Sequence, residues 1–326
     1  MRKFDPDSLP YLNPKQIRRV CVITGGNSGI GWFTVLHLYL HGYVIYIAGR
    51  SRSRVSAAIE QISQEAVKRR SKLSERVLKT RWLGELKYLE LDLLSLKSVD
   101  RAAKEFKARE KCLHLLINNA GIMAVPFEMT DDGFEIQMQT NFVSHFLLTQ
   151  KMIPLMETQV DPRIIYLSSV GHSLMPLAVP MDSEFNYRPN MLFTWFRYGM
   201  SKTAGIHMIK CLSVRNPSVL SLAVHPGFVM NTNLFSHLTR LPILGVFFWF
   251  FFQFFGYVFG VTNETGSFST IKCSLSPDIT AEKDNGKYFA TYGIEKSPST
   301  VASSMACADA TWAWATAELA RRGYSI

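Results

Sequence analysis

Cysteine is scarce in this chain and forms no pattern. Cys21, Cys112, Cys211, Cys273 and Cys307 are an odd number and include no C-x-x-C pair, which excludes a disulfide framework or a cysteine-built zinc site and fits a reducing compartment. No His/Cys/carboxylate cluster has metal-ligand spacing, so no metal is expected. Linkers, repeats and low-complexity tracts are missing too, which points to one domain over residues 1–326 with an N-terminal extension at 1–16. That extension holds Asp5, Pro6, Asp7, Pro10 and Pro14 but no apolar stretch, so it does not read as a secretory signal. Acidic residues are in deficit: 26 Asp and Glu against 36 Lys and Arg leave a formal net charge of +10. Much of the excess lies in 68–81. With no interleaved aromatics and no recognition-helix pattern, that run reads as a solvated helix end and not as a nucleic-acid surface. Anionic lipid headgroups are its alternative partner.

Charge is absent altogether from Leu241 to Asn263, a length that meets the roughly 20 residues of a bilayer crossing. A straight crossing would carry the expected strand at 288–291 away from its sheet. The stretch 241–263 therefore reads as a membrane- or lipid-contacting insertion that dips into one leaflet or lies at its surface, with a pocket lid or a buried helix as alternatives.

Short apolar runs at 20–23, 43–48, 86–91, 113–117, 163–167, 219–224 and 288–291 alternate with helical periods. Such alternation predicts an α/β fold: a doubly wound parallel sheet with helices on both faces. Thr24-Gly25-Gly26-Asn27-Ser28-Gly29-Ile30-Gly31 sits between the first strand and the first helix. Glycines there let the backbone approach a pyrophosphate, and the free N–H groups of the helix start favour an anion. Farther on, Tyr198-Gly199-Met200-Ser201-Lys202 opens a helical pattern that puts phenol and ammonium on one face, where the cation is expected to lower the tyrosine pKa. Ser169, at the carboxyl end of the fifth strand, is placed to hold a substrate oxygen while Tyr198 exchanges its proton. His172 reads as an ordinary satisfied side chain, and Phe193, Trp195 and Phe196 as an apolar wall or as core.

These residues resemble the short-chain dehydrogenase/reductase superfamily, with its motifs in order over nearly the whole chain. The glycine loop is followed by Asp92, where the family uses an acidic side chain near the adenine. Asn118-Asn119-Ala120-Gly121 is similar to the family's N-N-A-G motif. Asn141 in Thr140-Asn141-Phe142 matches the asparagine that anchors a water leading to the lysine. The resemblance thus implies Asn141, Ser169, Tyr198 and Lys202 as the catalytic set. It also implies a Rossmann-type fold, a bound dinucleotide held by Thr24, Gly25, Asn27, Ser28, Gly29, Ile30, Gly31, Asp92, Asn119, Tyr198, Lys202, Pro226 and Gly227, and allows a homodimer.

Within the superfamily, Val224-His225-Pro226-Gly227, Gly286-Lys287-Tyr288-Phe289 and the long interval between Ser169 and Tyr198 are similar to the retinol-dehydrogenase-like branch. The segments 191–198, 231–236 and 245–249 resemble fungal oxidoreductases associated with lipid droplets and vacuole morphology. Where that branch has a threonine, Asn231 stands and Thr232 follows, so either could meet the cofactor. The likeness implies a lipophilic alcohol, aldehyde or ketone as substrate, and a catalytic domain facing the cytosol from a lipid droplet or the endoplasmic reticulum membrane. Cofactor choice turns on another absence. No carboxylate ends the second strand to bond a ribose and repel a 2′-phosphate; Gly49 is there and Arg50 follows, which favours NADP(H). A non-catalytic dinucleotide-binding scaffold or sensor is the alternative function.

Overall fold

In every strand of the middle of the sheet, successive side chains enter opposite cores, which is why these strands read as continuous apolar runs. Val20 and Val22 of β1 (Val20–Thr24), with Val44, Tyr46 and Ala48 of β2 (Val44–Gly49), enter one core; Cys21, Ile23, Ile45 and Ile47 enter the other. A computed structural model describes residues 4–157, 159–175, 178–229 and 260–325. The remaining strands are β3 (Glu85–Glu90), β4 (Leu115–Asn118), β5 (Arg163–Leu167), β6 (Leu220–Val224), β7 (Tyr288–Ala290) and β8 (Ile294–Lys296). Their order is β3-β2-β1-β4-β5-β6-β7-β8, parallel through β7. β8 pairs antiparallel with β7 and was not expected: its three residues are all exposed and carry no apolar pattern.

Helices α1 (Gly29–Leu40), α2 (Arg52–Arg70) and α6 (Asn263–Leu275) cover one face, and α3 (Leu96–Arg109), α4 (Ser144–Met152), α5 (Asn190–Arg215) and α7 (Met305–Arg321) the other. This is the doubly wound Rossmann-type arrangement. Local sequence sets the helices up. In α3, Ser95 caps the first turn by accepting from the Ser98 N–H at 3.2 Å. Leu96, Val99, Ala102, Ala103 and Phe106 then recur at helical spacing and are buried. Burying each Val, Leu or Phe of such a stripe contributes about 1.5–3 kcal/mol.

The order of strands reverses between β1 and β4, so the loops after their carboxyl ends diverge and leave a crevice. α5 starts at Asn190, with Pro189 as its N-cap, eight residues before the Tyr198 start expected from the motif. The extra turns carry Trp195 into the cleft lining and bury Arg197 beside Glu135. Of the uncharged stretch 241–263, residues 241–259 lie outside the described part, as do Asn231 and Thr232. The described chain leaves at Val229 and returns beside it, where Val229 and Val261 form a parallel bridge. Among the described residues no helix is long and apolar enough to cross a membrane.

Candidate active site

The turn after β1 is shaped by what its glycines permit. Gly25 has φ +65° and Gly29 φ +57°, and a Cβ on Gly31 would lie 2.4 Å from the Gly25 carbonyl oxygen. Ser28 ends the turn as the N-cap of α1 without using its side chain as a cap, so the first N–H groups of the helix face the crevice uncapped. Thr24 does not line it. Fully buried, its Oγ1 accepts from the Asn119 and Ala120 N–H groups, each at 2.9 Å, and the Asn119 amide donates to the Thr24 and Gly25 carbonyls at 2.8 and 3.2 Å. Thr24 thus reaches a dinucleotide only through the backbone it holds.

A cleft of about 990 Å³ opens from this turn and is lined by Gly25, Asn27, Ser28, Gly29, Ile30, Gly31, Asn119, Ser169, Tyr198, Lys202, Pro226 and Gly227 among others. The size suits a dinucleotide together with a small substrate. Val125, Val170, Leu174, Trp195 and Phe228 give one end an apolar wall. Arg50 and Asp92 are not part of this lining. Arg50 is exposed directly after β2, and the Asp92 carboxylate accepts from the Leu94 N–H at 3.0 Å. His172 is buried outside the cleft, near Ser173 Oγ at 3.2 Å and the Ser299 N–H at 3.4 Å.

Burial governs the chemistry of the central pair. It pushes the Tyr198 phenol up to about 12, with a hydrogen bond to Ser169 pulling the other way. It also lowers Lys202 to about 7. The expected depression of Tyr198 by the lysine charge is not met in the protein alone, because the phenol's own burial outweighs it, and Lys202 Nζ stands 5.8 Å from the phenol ring centroid. Lys202 Nζ donates to the Leu167 carbonyl at 2.8 Å. A neutral phenol beside a serine hydroxyl is suited to giving a proton to a substrate oxygen.

Asn141 lies in a π-helical turn, Gln139–Val143, and is fully buried. Its side chain accepts from the Ile122 N–H at 2.8 Å and donates to the Ile122 carbonyl at 3.0 Å and to Ser201 Oγ at 2.9 Å. Its backbone carbonyl takes the Tyr166 hydroxyl at 2.9 Å and His145 Nδ1 at 3.0 Å, so both lone pairs of that oxygen are engaged. The absence of a side chain on Gly121 matters here: a Cβ would come within 3.1 Å of Asn141 Oδ1 and 3.2 Å of Lys202 Nζ.

A short chain dehydrogenase model matches residues 19–180, and a short-chain dehydrogenase/reductase from Aspergillus calidoustus is 32% identical over 97% of this chain and 98% of its own length. The chain belongs to the short-chain dehydrogenase/reductase family. It is also similar to Homo sapiens retinol dehydrogenase 12, 32% identical over 89% of this chain and 83% of that protein. Homo sapiens polyprenol dehydrogenase is 30% identical over 86% of this chain and 79% of that protein. A solved protein from Mycobacterium paratuberculosis superposes with a TM-score of 0.68 at 25% identity, covering 97% of each chain. Membership makes this chain an oxidoreductase of alcohol and carbonyl groups that uses a nicotinamide dinucleotide. Tyr166, His145 and Arg197 are buried polar residues close to the site that motif reading missed. Each is a single polar residue in an apolar pattern, and nothing local says what it meets.

Proposed function

We propose that the protein is an NADP(H)-dependent reductase or dehydrogenase of a lipophilic alcohol, aldehyde or ketone, working at a lipid droplet or endoplasmic reticulum membrane surface. The observation that carries this is that Ser169, Tyr198 and Lys202 line one cleft together with the glycine turn and the apolar Val125, Val170, Leu174, Trp195 and Phe228. The residues present fit the dinucleotide: the uncapped start of α1 and the close approach at Gly31 suit a pyrophosphate, and exposed Arg50 with no carboxylate before it suits a 2′-phosphate. When bound, the nicotinamide supplies or accepts the hydride.

The protein's own groups do the rest. Ser169 and Tyr198 hold the substrate oxygen, and in the reductive direction Tyr198 gives it the proton. Lys202 binds ribose hydroxyls and favours tyrosinate after that transfer. The remaining lone pair of Asn141 Oδ1, next to Lys202 Nζ over Gly121, offers the place for a proton-carrying water. The names of the retinol and polyprenol dehydrogenases support a lipophilic substrate, and the uncharged stretch 241–263 supports a lipid surface.

The test is NADPH oxidation by detergent-solubilised protein given a panel of apolar aldehydes and ketones, with Tyr198→Phe alongside. Turnover is expected with wild type and a loss of about 10²- to 10⁴-fold in the variant, at retained NADPH binding. NADPH binding without turnover of any panel member would favour a dinucleotide-binding scaffold.

A further inference from the structure

His145 is fully buried on α4, outside the cleft lining, and the reaction outlined above does not use it. Its ring touches both halves of the site. Nε2 lies 2.9 Å from Thr24 Oγ1, and Nδ1 lies 3.0 Å from the Asn141 carbonyl oxygen. A carbonyl can only accept, so Nδ1 carries the hydrogen and Nε2 accepts from the threonine hydroxyl. That assignment completes Thr24: its oxygen donates once, to His145, and accepts twice, from the Asn119 and Ala120 N–H groups. Burial holds the imidazole neutral, lowering it to about 4, so this single tautomer persists across physiological pH. On the other side the Asn141 carbonyl is clamped between His145 and the Tyr166 hydroxyl. The loop that meets a dinucleotide and the turn that backs the catalytic lysine are thus joined through one ring.

We propose that His145 is a positioning residue coupling the dinucleotide loop to the catalytic layer, Nε2 setting the former through Thr24 and Nδ1 the latter through Asn141. The proposal rests on the reaction proposed above only in its catalytic half. Two full-length variants separate the two nitrogens. His145→Asn keeps an amide at the reach of Nδ1 and loses the bond to Thr24. His145→Gln keeps one at the reach of Nε2 and loses the bond to the Asn141 carbonyl. The readouts are the Kd for NADPH from its fluorescence, kcat with a reducible aldehyde, and Tm. The Asn variant is expected to raise the NADPH Kd roughly tenfold, more than it lowers kcat, and the Gln variant to do the reverse, a hydrogen bond to a buried group being worth about that factor. Thr24→Val loses the bond to His145 and also the acceptor of the Asn119 and Ala120 N–H groups, so it should raise the Kd more than His145→Asn does, and His145→Asn should raise it little further in the Thr24→Val background, which keeps the binding half testable if the Gln variant fails to fold.

Equal losses of both constants in both variants, or additive Kd effects of Thr24→Val and His145→Asn, would overturn the coupling. Wild-type turnover with variants that show no such split sinks the inference alone. Absence of wild-type turnover sinks the proposed reaction instead, while the NADPH arm still reads the Thr24 half.

Discussion

Arg50 makes no ion pair or hydrogen bond among the described residues, although it stands at the end of a buried strand. A guanidinium left free beside the turn that meets a dinucleotide is available to a phosphate, whereas neighbouring Arg52 lies 5.1 Å from the Tyr88 ring centroid. Arg50→Glu is expected to weaken NADPH binding by roughly 10- to 100-fold, as lost charge-assisted hydrogen bonds do. It should leave NADH binding much less affected; titration of both dinucleotides checks it. Arg197 shows the opposite fate of an arginine. It is fully buried, 3.3 Å from Glu135 Oε1, and donates to the Phe185 carbonyl at 3.0 Å and Asn190 Oδ1 at 2.7 Å. Burial pushes Glu135 up and Arg197 down, against their mutual attraction. Arg197→Met leaves Glu135 buried and unpaired, which is expected to cost about 3–5 kcal/mol. Adding Glu135→Gln should recover part of that loss in denaturant unfolding.

Three helices on one face meet at a single carboxylate. Glu264, in the first turn of α6, bonds His37 Nε2 of α1 at 3.0 Å and Arg69 Nη1 of α2 at 2.6 Å. The hydrogen bond from His37 and the Arg69 guanidinium hold its pKa down to about 2, burial opposing them. A depressed carboxylate stabilises the fold above its unfolded value of about 4.5, and that contribution is lost as pH falls from there through about 2. Glu264→Gln should therefore lower stability near neutrality by about 1–2 kcal/mol, after screening at a partly exposed site. The two proteins are expected to converge near pH 2, as thermal melts across that window would show. None of this was legible in the sequence: Glu264 is followed by no patterned partner, and His37 and Arg69 lie far away along the chain. By contrast the caps of α2 and α3 are local contacts, Ser51 and Ser95 each accepting from the N–H three residues on.

At the scale of the whole molecule, the C-terminal helix closes the core under α3, α4 and α5. Trp312 packs edge-on to Phe146 at 4.8 Å, and Trp314 stacks on Phe142 at 6.4 Å. His207 on α5 bonds Thr311 at 2.8 Å. Trp312→Ala is expected to lower stability by about 2–3 kcal/mol, the lower range for a large aromatic because the ring is only partly buried. Its Tm should fall with little change in NADPH affinity. The sequence by itself determined the seven parallel strands, each within two residues of its expected bounds, as well as the glycine turn and the Ser169, Tyr198 and Lys202 constellation. Those features are local: they follow from alternation, from turn chemistry and from residues four apart on one helix. Only the tertiary structure decided that burial pushes the Tyr198 phenol up and Lys202 down, that the Thr24 side chain holds backbone instead of lining the cleft, and that Arg197 and His145 are fully buried. Burial and the identity of distant partners set those properties, and neither is a function of spacing along the chain.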